Sequence, residues 1–225
     1  FRIFNGSGGR GLFGKKRVGH RPVKVGGLAG AVRPFRDTPC AGRLHTIGVA
    51  LPLTVGILGV GETVGATHDV TAGAGLPVFD TPLGRIGVLI CYDSEFPLLG
   101  RALAEAGVEI LLVPSCTEAL EGYWRVRIGA MARALESQCV AVMASIVGVE
   151  PRLFAVEENC GAGGIFGPPD RGFPPTGVLA EGALNQPGWT YAEVDLEQVR
   201  TVRADGHVLN RSHWPEQVAR LAVES

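Results

Sequence analysis

The side chains best suited to covalent chemistry in this sequence are its five cysteines, Cys40, Cys91, Cys116, Cys139 and Cys160. An odd number without regular spacing does not describe a disulfide framework. No Cys-x-x-Cys pair occurs, and no Cys/His group has zinc-ligand spacing, so the cysteines do not predict a zinc site. A reducing, cytoplasmic setting is the expectation for such a set. Cys91 has the setting of a nucleophile. It closes the apolar run 86–90 and precedes a segment of helical spacing. At the carboxyl edge of a sheet a side chain faces the place where α/β folds bind ligands. The positive end of a following helix favours a thiolate, and backbone N–H groups at the same turn can hold an oxyanion. The plainer reading of such a cysteine is a small buried hydrophobe. That reading fits Cys139, which starts an apolar strand. Cys116 ends a strand patterned like that of Cys91 and is expected at the same edge.

Other polar and aromatic residues carry weaker signals. Glu95, four residues after Cys91, reads first as a first-turn acid complementing a helix dipole and second as a pocket contact. Thr117 and Glu118 follow the Cys116 strand and are placed to face a substrate. Tyr123 and Trp124 open the longest helical pattern, and core packing is expected of them before a place in the pocket wall. Arg125 and Arg127 read as exposed or paired. A Cys–His dyad using His207 or His213 is the generic alternative mechanism.

These residues need elements to hold them. "LPVFDTPLGRIGVLICYD" reads as a strand over 76–80, a turn over 82–85 and a strand over 86–90 that is apolar on both faces, hence covered on both. "FPLLGRALAEAGV" has helical spacing, with Pro97 suited to its first turn. "VEILLVPS" reads as a second buried strand. "EGYWRVRIGAMARALESQ" is the clearest helix, with Trp124, Ile128, Met131 and Leu135 on one face. "CVAVMASIVG" follows as a third buried strand. Shorter strands are predicted in "AGGIFGPPD", "TGVLAEG" and "GWTYAEVDL", joined by Gly and Pro turns, with a short closing helix over 196–203. "HWPEQ" reads as a packed tail. Alternating strands and helices imply an α/β sheet with helices upon it.

Composition separates two parts. With 46% apolar and 19% charged residues, the 225-residue chain holds enough apolar material for a sizeable core. Its net charge of -1 gives no overall attraction to nucleic acid or membrane. The longest apolar run, 47–60, is too short to span a bilayer. Residues 1–68, however, hold ten Lys or Arg and only two acids, Asp37 and Glu62, and all three lysines (Lys15, Lys16, Lys24) lie there. This defines an atypical basic, Gly/Arg-rich segment over 1–70, ahead of a domain over 71–225. Three readings of the segment compete: a solvated extension, text foreign to this position such as a shifted reading frame, and a basic arm for nucleic acid. The last ranks lowest because no aromatics are interleaved.

Several ordered blocks then carry a resemblance. "GRIGVLICYDSEFP" over 84–97 resembles the nucleophile segment of the nitrilase superfamily, the carbon–nitrogen hydrolases. "VEILLVPSC", "WRVRIGAMARALESQCVAVMAS" with Arg133-Ala134-Leu135-Glu136 at the family's Arg-Ala-x-Glu, "GAGGIFGPPDRGFPPTGVLAEG" and "TYAEVDLEQV" resemble the blocks that follow. The resemblance implies a nitrilase-like α-β-β-α sandwich, incomplete at the N-terminus, and a homodimer formed through helices near the nucleophile. It implies hydrolysis of a small amide, nitrile or carbamoyl compound. Cys91 would form a thioester acyl-enzyme, the Tyr92 backbone N–H would bind the oxyanion, and no cofactor would be needed. The family also pairs its cysteine with an early glutamate and with a lysine followed by a second glutamate. Here no lysine lies between Lys24 and Cys91, and no glutamate precedes Glu62. Glu62 is thus the one candidate acid, with Arg43 and His45 the nearest cations. The absent pair supports an alternative, a catalytically inactive homologue acting as a binding or scaffold subunit.

Overall fold

In a computed structural model of the chain, the structure describes residues 75–149, 151 and 157–221, together with the backbone of three short strands nearer the N-terminus. These strands are β1 (Arg2–Phe4), β2 (Val23–Lys24) and β3 (Gly27–Ala29). Glu62, Arg43, His45 and Cys40 lie outside the described residues.

The elements from residue 78 onward follow the predicted order. Strands β4 (Val78–Thr81) and β5 (Gly84–Val88) form a hairpin. A 3-10 turn over Cys91–Glu95 leads to helix α1 (Pro97–Glu105), with Pro97 at its start. Strand β6 (Ile110–Ser115), helix α2 (Leu120–Ser137) and strand β7 (Val140–Ser145) come next. The short β8 (Gly148–Val149) and β9 (Glu158–Asn159) pair with each other. Strands β10 (Gly164–Phe166), β11 (Val178–Glu181), β12 (Gly188–Thr190) and β13 (Glu193–Asp195) lead to helix α3 (Leu196–Asp205), a turn of helix α4 (Asn210–His213) and a 3-10 turn over Trp214–Arg220.

The main sheet has the order β11-β10-β7-β6-β5-β4, with β5, β6 and β7 parallel and the flanking strands antiparallel. Side chains alternate across it as the pleat requires. Leu111, Val113, Ala141, Met143 and Phe166 face α1 and α2. Ile110, Val140, Val142 and Ile165 face the opposite way, onto Val194 of β13 and Leu196 and Val199 of α3. This two-sided burial is why the three parallel strands read as continuous apolar runs. β13 pairs in parallel with β1, which pairs with β2, and β12 pairs with β3, so the N-terminal strands extend the second side of the layer.

Two helix ends return the chain to the parallel strands. α1 ends in a Schellman arrangement, with Val108 N–H on the Leu103 carbonyl (3.0 Å) and Gly107 N–H on that of Ala104 (2.9 Å). Gly107 takes the left-handed conformation this needs, at φ 87°. α2 ends likewise, but on Gln138 at φ 45°. A non-glycine is held there because its Nε2 donates to the carbonyls of Val202 (2.9 Å) and Val208 (3.0 Å), and Arg203 Nε donates to its own carbonyl (2.7 Å).

One expectation is overturned. The core packing expected of Trp124 is not found: Trp124, Ile128 and Leu135 are 47%, 63% and 46% exposed, while Met131 packs partly buried against the core. The buried side consists of Gly122, Tyr123, Val126, Arg127, Gly129, Ala130, Arg133, Ala134 and Ser137. α2 lies so close to the sheet and to the Cys91 turn that small residues are required beneath it.

Candidate active site

Strand β5 delivers the chain to the sheet's carboxyl edge, and the 3-10 turn begins at once with Cys91. Its φ of 48° lies in the left-handed region. A non-glycine residue there costs roughly 1–2 kcal/mol and persists only where its surroundings enforce it. Here they do. Ile90 N–H donates to the Asp93 carboxylate (3.3 Å), and Asp93 N–H donates to the Ile90 carbonyl (2.9 Å). The Ser94 hydroxyl donates to the Cys91 carbonyl (2.7 Å), and Arg133 Nη1 reaches the Ser94 carbonyl (3.4 Å). Asp93 and Ser94 are buried. Gly129 permits the approach, since a Cβ there would stand 2.8 Å from the Ser94 carbonyl oxygen. Helix α2 therefore clamps the turn from below and presents Cys91, partly exposed, above the sheet edge.

Cys91 Sγ donates to the Cys116 carbonyl oxygen (3.5 Å), which brings together the two cysteines expected at one edge. The Cys116 thiol donates to Asn159 Oδ1 (3.0 Å). Burial pushes the Cys116 thiol up, and the neighbouring Cys91 and Glu118 add to that rise. Thr117 is buried, with its hydroxyl on the Cys160 carbonyl (2.7 Å) and its carbonyl accepting from Cys160 N–H (2.7 Å). Beneath lie the hydroxyls of Ser115 and Ser145, 3.1 Å apart. Cys139 is fully buried and pushed up to about 11 by desolvation, as suits an inert core thiol. Among the described residues no acceptor meets the Tyr92 N–H, and the Tyr92 ring stacks edge-on against Phe96 with centroids 4.9 Å apart.

Other sequence candidates are placed differently. Glu95 ends the 3-10 turn ahead of the residue that caps α1, so it is not in that helix's first turn; it pairs with Arg125 (3.4 Å). Trp124 is not core. Its exposed ring lies edge-on to Tyr123 (5.4 Å) and 5.5 Å from the Arg127 guanidinium. Arg127 is buried, held by Glu181 (2.6 Å) and the Tyr123 hydroxyl (3.3 Å). His207 stands against Asp170 (3.4 Å) rather than Cys91, and His213 ends α4 near the C-terminal turn. Sequence reasoning missed Ser94 and Asn159. A single polar residue with no period around it leaves no signal to find it by. Among the described residues no group of three or more His, Cys, Asp or Glu is arranged to hold a metal, and no helix is long and apolar enough to cross a membrane.

The family profile described as carbon-nitrogen hydrolase matches residues 52–204, starting ahead of the blocks quoted above. "Probable hydrolase YhcX" of Bacillus subtilis is 40% identical over 139 residues, which is 62% of this chain and 27% of that protein. The human "Deaminated glutathione amidase" is 35% identical over 125 residues, 55% of this chain and 35% of that protein. The chain thus spans only about a quarter to a third of these two relatives. Saccharomyces cerevisiae Nit3, described as a member of branch 10 of the nitrilase superfamily, superposes with a TM-score of 0.50 at 24% identity, covering 60% of this chain and 46% of that one. This chain belongs to the carbon-nitrogen hydrolase family and has the α/β fold of the nitrilase superfamily.

Proposed function

We propose that the chain hydrolyses the carbon–nitrogen bond of a small amide, nitrile or carbamoyl compound, with Cys91 as nucleophile. The observation that carries this reading is the enforced left-handed φ of 48° at Cys91, which holds a thiol at the carboxyl end of strand β5. The Cys91 thiolate adds to the substrate carbon, and the Tyr92 N–H receives the developing oxyanion. Collapse expels ammonia or an amine and leaves a thioester on Cys91. Water then attacks the thioester and frees the acid. Glu62 is the one candidate acid for this reading. Cys116, Thr117, Glu95 and Trp124 are the proposed surroundings of the substrate. Because a relative is named a deaminated glutathione amidase, deaminated glutathione is the first amide to try.

The outward stripe of α2, with Leu98 of α1 (75% exposed), fits a homodimer interface beside the nucleophile. A reducing compartment such as the cytoplasm would keep Cys91 available. A second reading, an inactive scaffold subunit, is favoured by one observation: no lysine lies between Lys24 and Cys91 to stabilise the oxyanion.

The test is ammonia release from simple amides, run beside labelling of Cys91 with iodoacetamide across pH. The hydrolase reading expects labelling with an apparent pKa below the ordinary thiol value of about 8.5 and ammonia release that vanishes in Cys91→Ala. Ordinary thiol reactivity with no ammonia from any amide leaves the scaffold reading.

A further inference from the structure

The main sheet sets two thiols side by side at its carboxyl edge, and the acyl-transfer chemistry uses only one. β5 and β6 run parallel in the register Ile86↔Ile110 and Val88↔Leu112, and Leu89 N–H continues it by donating to the Leu112 carbonyl (3.0 Å). The ladder ends there: Cys91 begins the 3-10 turn at φ 48° and Cys116 follows the last residue of β6, so both stand at the same edge of the sheet. A disulfide between them needs Cα atoms about 4.4–6.8 Å apart. The hydrogen bond from Cys91 Sγ to the Cys116 carbonyl shows that the contact is made. Both cysteines are free and only partly buried.

We infer that Cys116 is a resolving thiol, and that a peroxide converts Cys91 and Cys116 into a reversible disulfide that protects the nucleophile from over-oxidation. This rests on the reading of Cys91 as a reactive thiolate. In the first step the Cys91 thiolate attacks one oxygen of hydrogen peroxide. The O–O bond breaks, hydroxide leaves and takes up a proton as water, and Cys91 becomes a sulfenic acid. In the second step the Cys116 side chain turns from Asn159 to another staggered rotamer. Its sulfur, giving up its proton, attacks the Cys91 sulfur; the S–O bond breaks and a second water leaves. Two thiols are oxidised and one peroxide is reduced to two waters.

The surroundings favour this order of events. Burial pushes the Cys116 thiol up, and a charge on the neighbouring Cys91 adds to that rise. A sulfenic acid at Cys91 is neutral, so the like-charge part of that rise disappears once the first step is complete. The other two described cysteines are poorer partners. Cys139 is buried with its thiol toward the Arg133 carbonyl (3.7 Å). Cys160 has both main-chain groups tied to Thr117, one residue beyond Cys116.

The experiment treats the full chain with dilute hydrogen peroxide, blocks remaining thiols and maps the peptides by mass spectrometry before and after dithiothreitol. The expected result is the loss of two free thiols per chain, a cross-linked peptide pair joining Cys91 to Cys116, and return of Cys91 labelling to its untreated level after reduction. In Cys116→Ser and Cys116→Ala, the same treatment drives Cys91 to sulfinic and sulfonic acids that dithiothreitol does not reverse. Sulfinic acid at Cys91 of the unaltered chain with no cross-link, or a cross-link to Cys160, Cys139 or Cys40 instead, overturns the inference. The unaltered chain decides the matter even if both variants misfold. The disulfide forming in a chain that releases no ammonia would break the hydrolase reading alone. Ammonia release in a chain that only over-oxidises would break this inference alone.

Discussion

The two faces of α2 invert the usual arrangement of an amphipathic helix. Toward the sheet it presents Gly122, Gly129, Ala130 and Ala134, two buried arginines and only two large apolar side chains, Tyr123 and Val126, with Met131 partly buried beside them; toward the outside it presents Trp124, Ile128 and Leu135. A helix normally buries its apolar stripe, because removing apolar area from water is the main stabilising term. The difference shows that the inner face was shaped by distance rather than by apolar area. Close approach lets the helix backbone and Arg133 reach the Cys91 turn. On the proposed dimer the apolar outer face would be buried as well.

The largest effect should come from filling the closest contact of the inner face. In Gly129→Val the new Cβ would meet the Ser94 carbonyl oxygen at 2.8 Å, and that atom is backbone, which cannot swing aside. Overpacking of this kind costs about 3 kcal/mol. The side chain also pushes the turn that fixes the Cys91 φ. Urea denaturation should therefore show a lower midpoint, and the rate of iodoacetamide labelling of Cys91 should change with it. A variant as stable as the parent would mean that α2 sits further from the turn than described.

Next in size is Arg133→Met, which keeps the volume and removes the charge. Arg133 Nε lies 2.8 Å from Glu136 Oε1, at an angle that makes an ion pair but not a hydrogen bond. Burial pulls Arg133 down and pushes Glu136 up, while Arg133 restrains that rise in Glu136. Removing the cation leaves a half-buried carboxylate alone, with a loss of about 2 kcal/mol near neutral pH. The sign of the pH dependence follows. An acid whose folded pKa exceeds its unfolded value adds stability below the unfolded value, about pH 4.3, and loses it as pH rises through the folded one. Without Arg133 the folded value climbs further, so the stability gap between variant and parent should be narrowest in acid and widen toward neutrality. A gap that is constant with pH would mean that Glu136 does not sense Arg133.

How much of this was legible from sequence differs between the sheet and the helix. β5, β6 and β7 could be read because two-sided burial demands uninterrupted apolar runs, and their ends placed Cys91 and Cys116 at one edge before any geometry was known. The buried face of α2 could not be read. Periodicity marks where the apolar residues lie, not which way they point; it set Trp124, Ile128, Met131 and Leu135 on one face, and of these four Met131 alone packs against the core. The 3-10 turn at Cys91 was hidden for another reason. Its conformation is enforced by Ser94, Asp93 and Gly129, which are close in space but belong to two patterns in the sequence. The left-handed cap at Gln138 is similar, since glycine is the usual signal there and here tertiary hydrogen bonds to Val202 and Val208 replace it.

The smallest effect on the folded monomer is expected on the outer face. Ile128 is 63% exposed and Leu98 75%, so Ile128→Ser removes little area buried within one chain. Its effect on monomer stability should stay within about 0.5 kcal/mol, the usual range for surface changes. If the two outer faces pack against each other, however, Ile128 and Leu135 become central in an isologous interface. One substitution then acts twice, once from each subunit. Analytical ultracentrifugation of Ile128→Ser should show a shift from dimer toward monomer, with Arg133→Met serving as the inner-face control that lowers stability without changing association first. A dimer untouched by Ile128→Ser and Leu135→Ser together would mean that this face does not form the interface. The contrast between the two sides of α2 would then keep its inner half, the close approach that fixes Cys91, and lose its outer one.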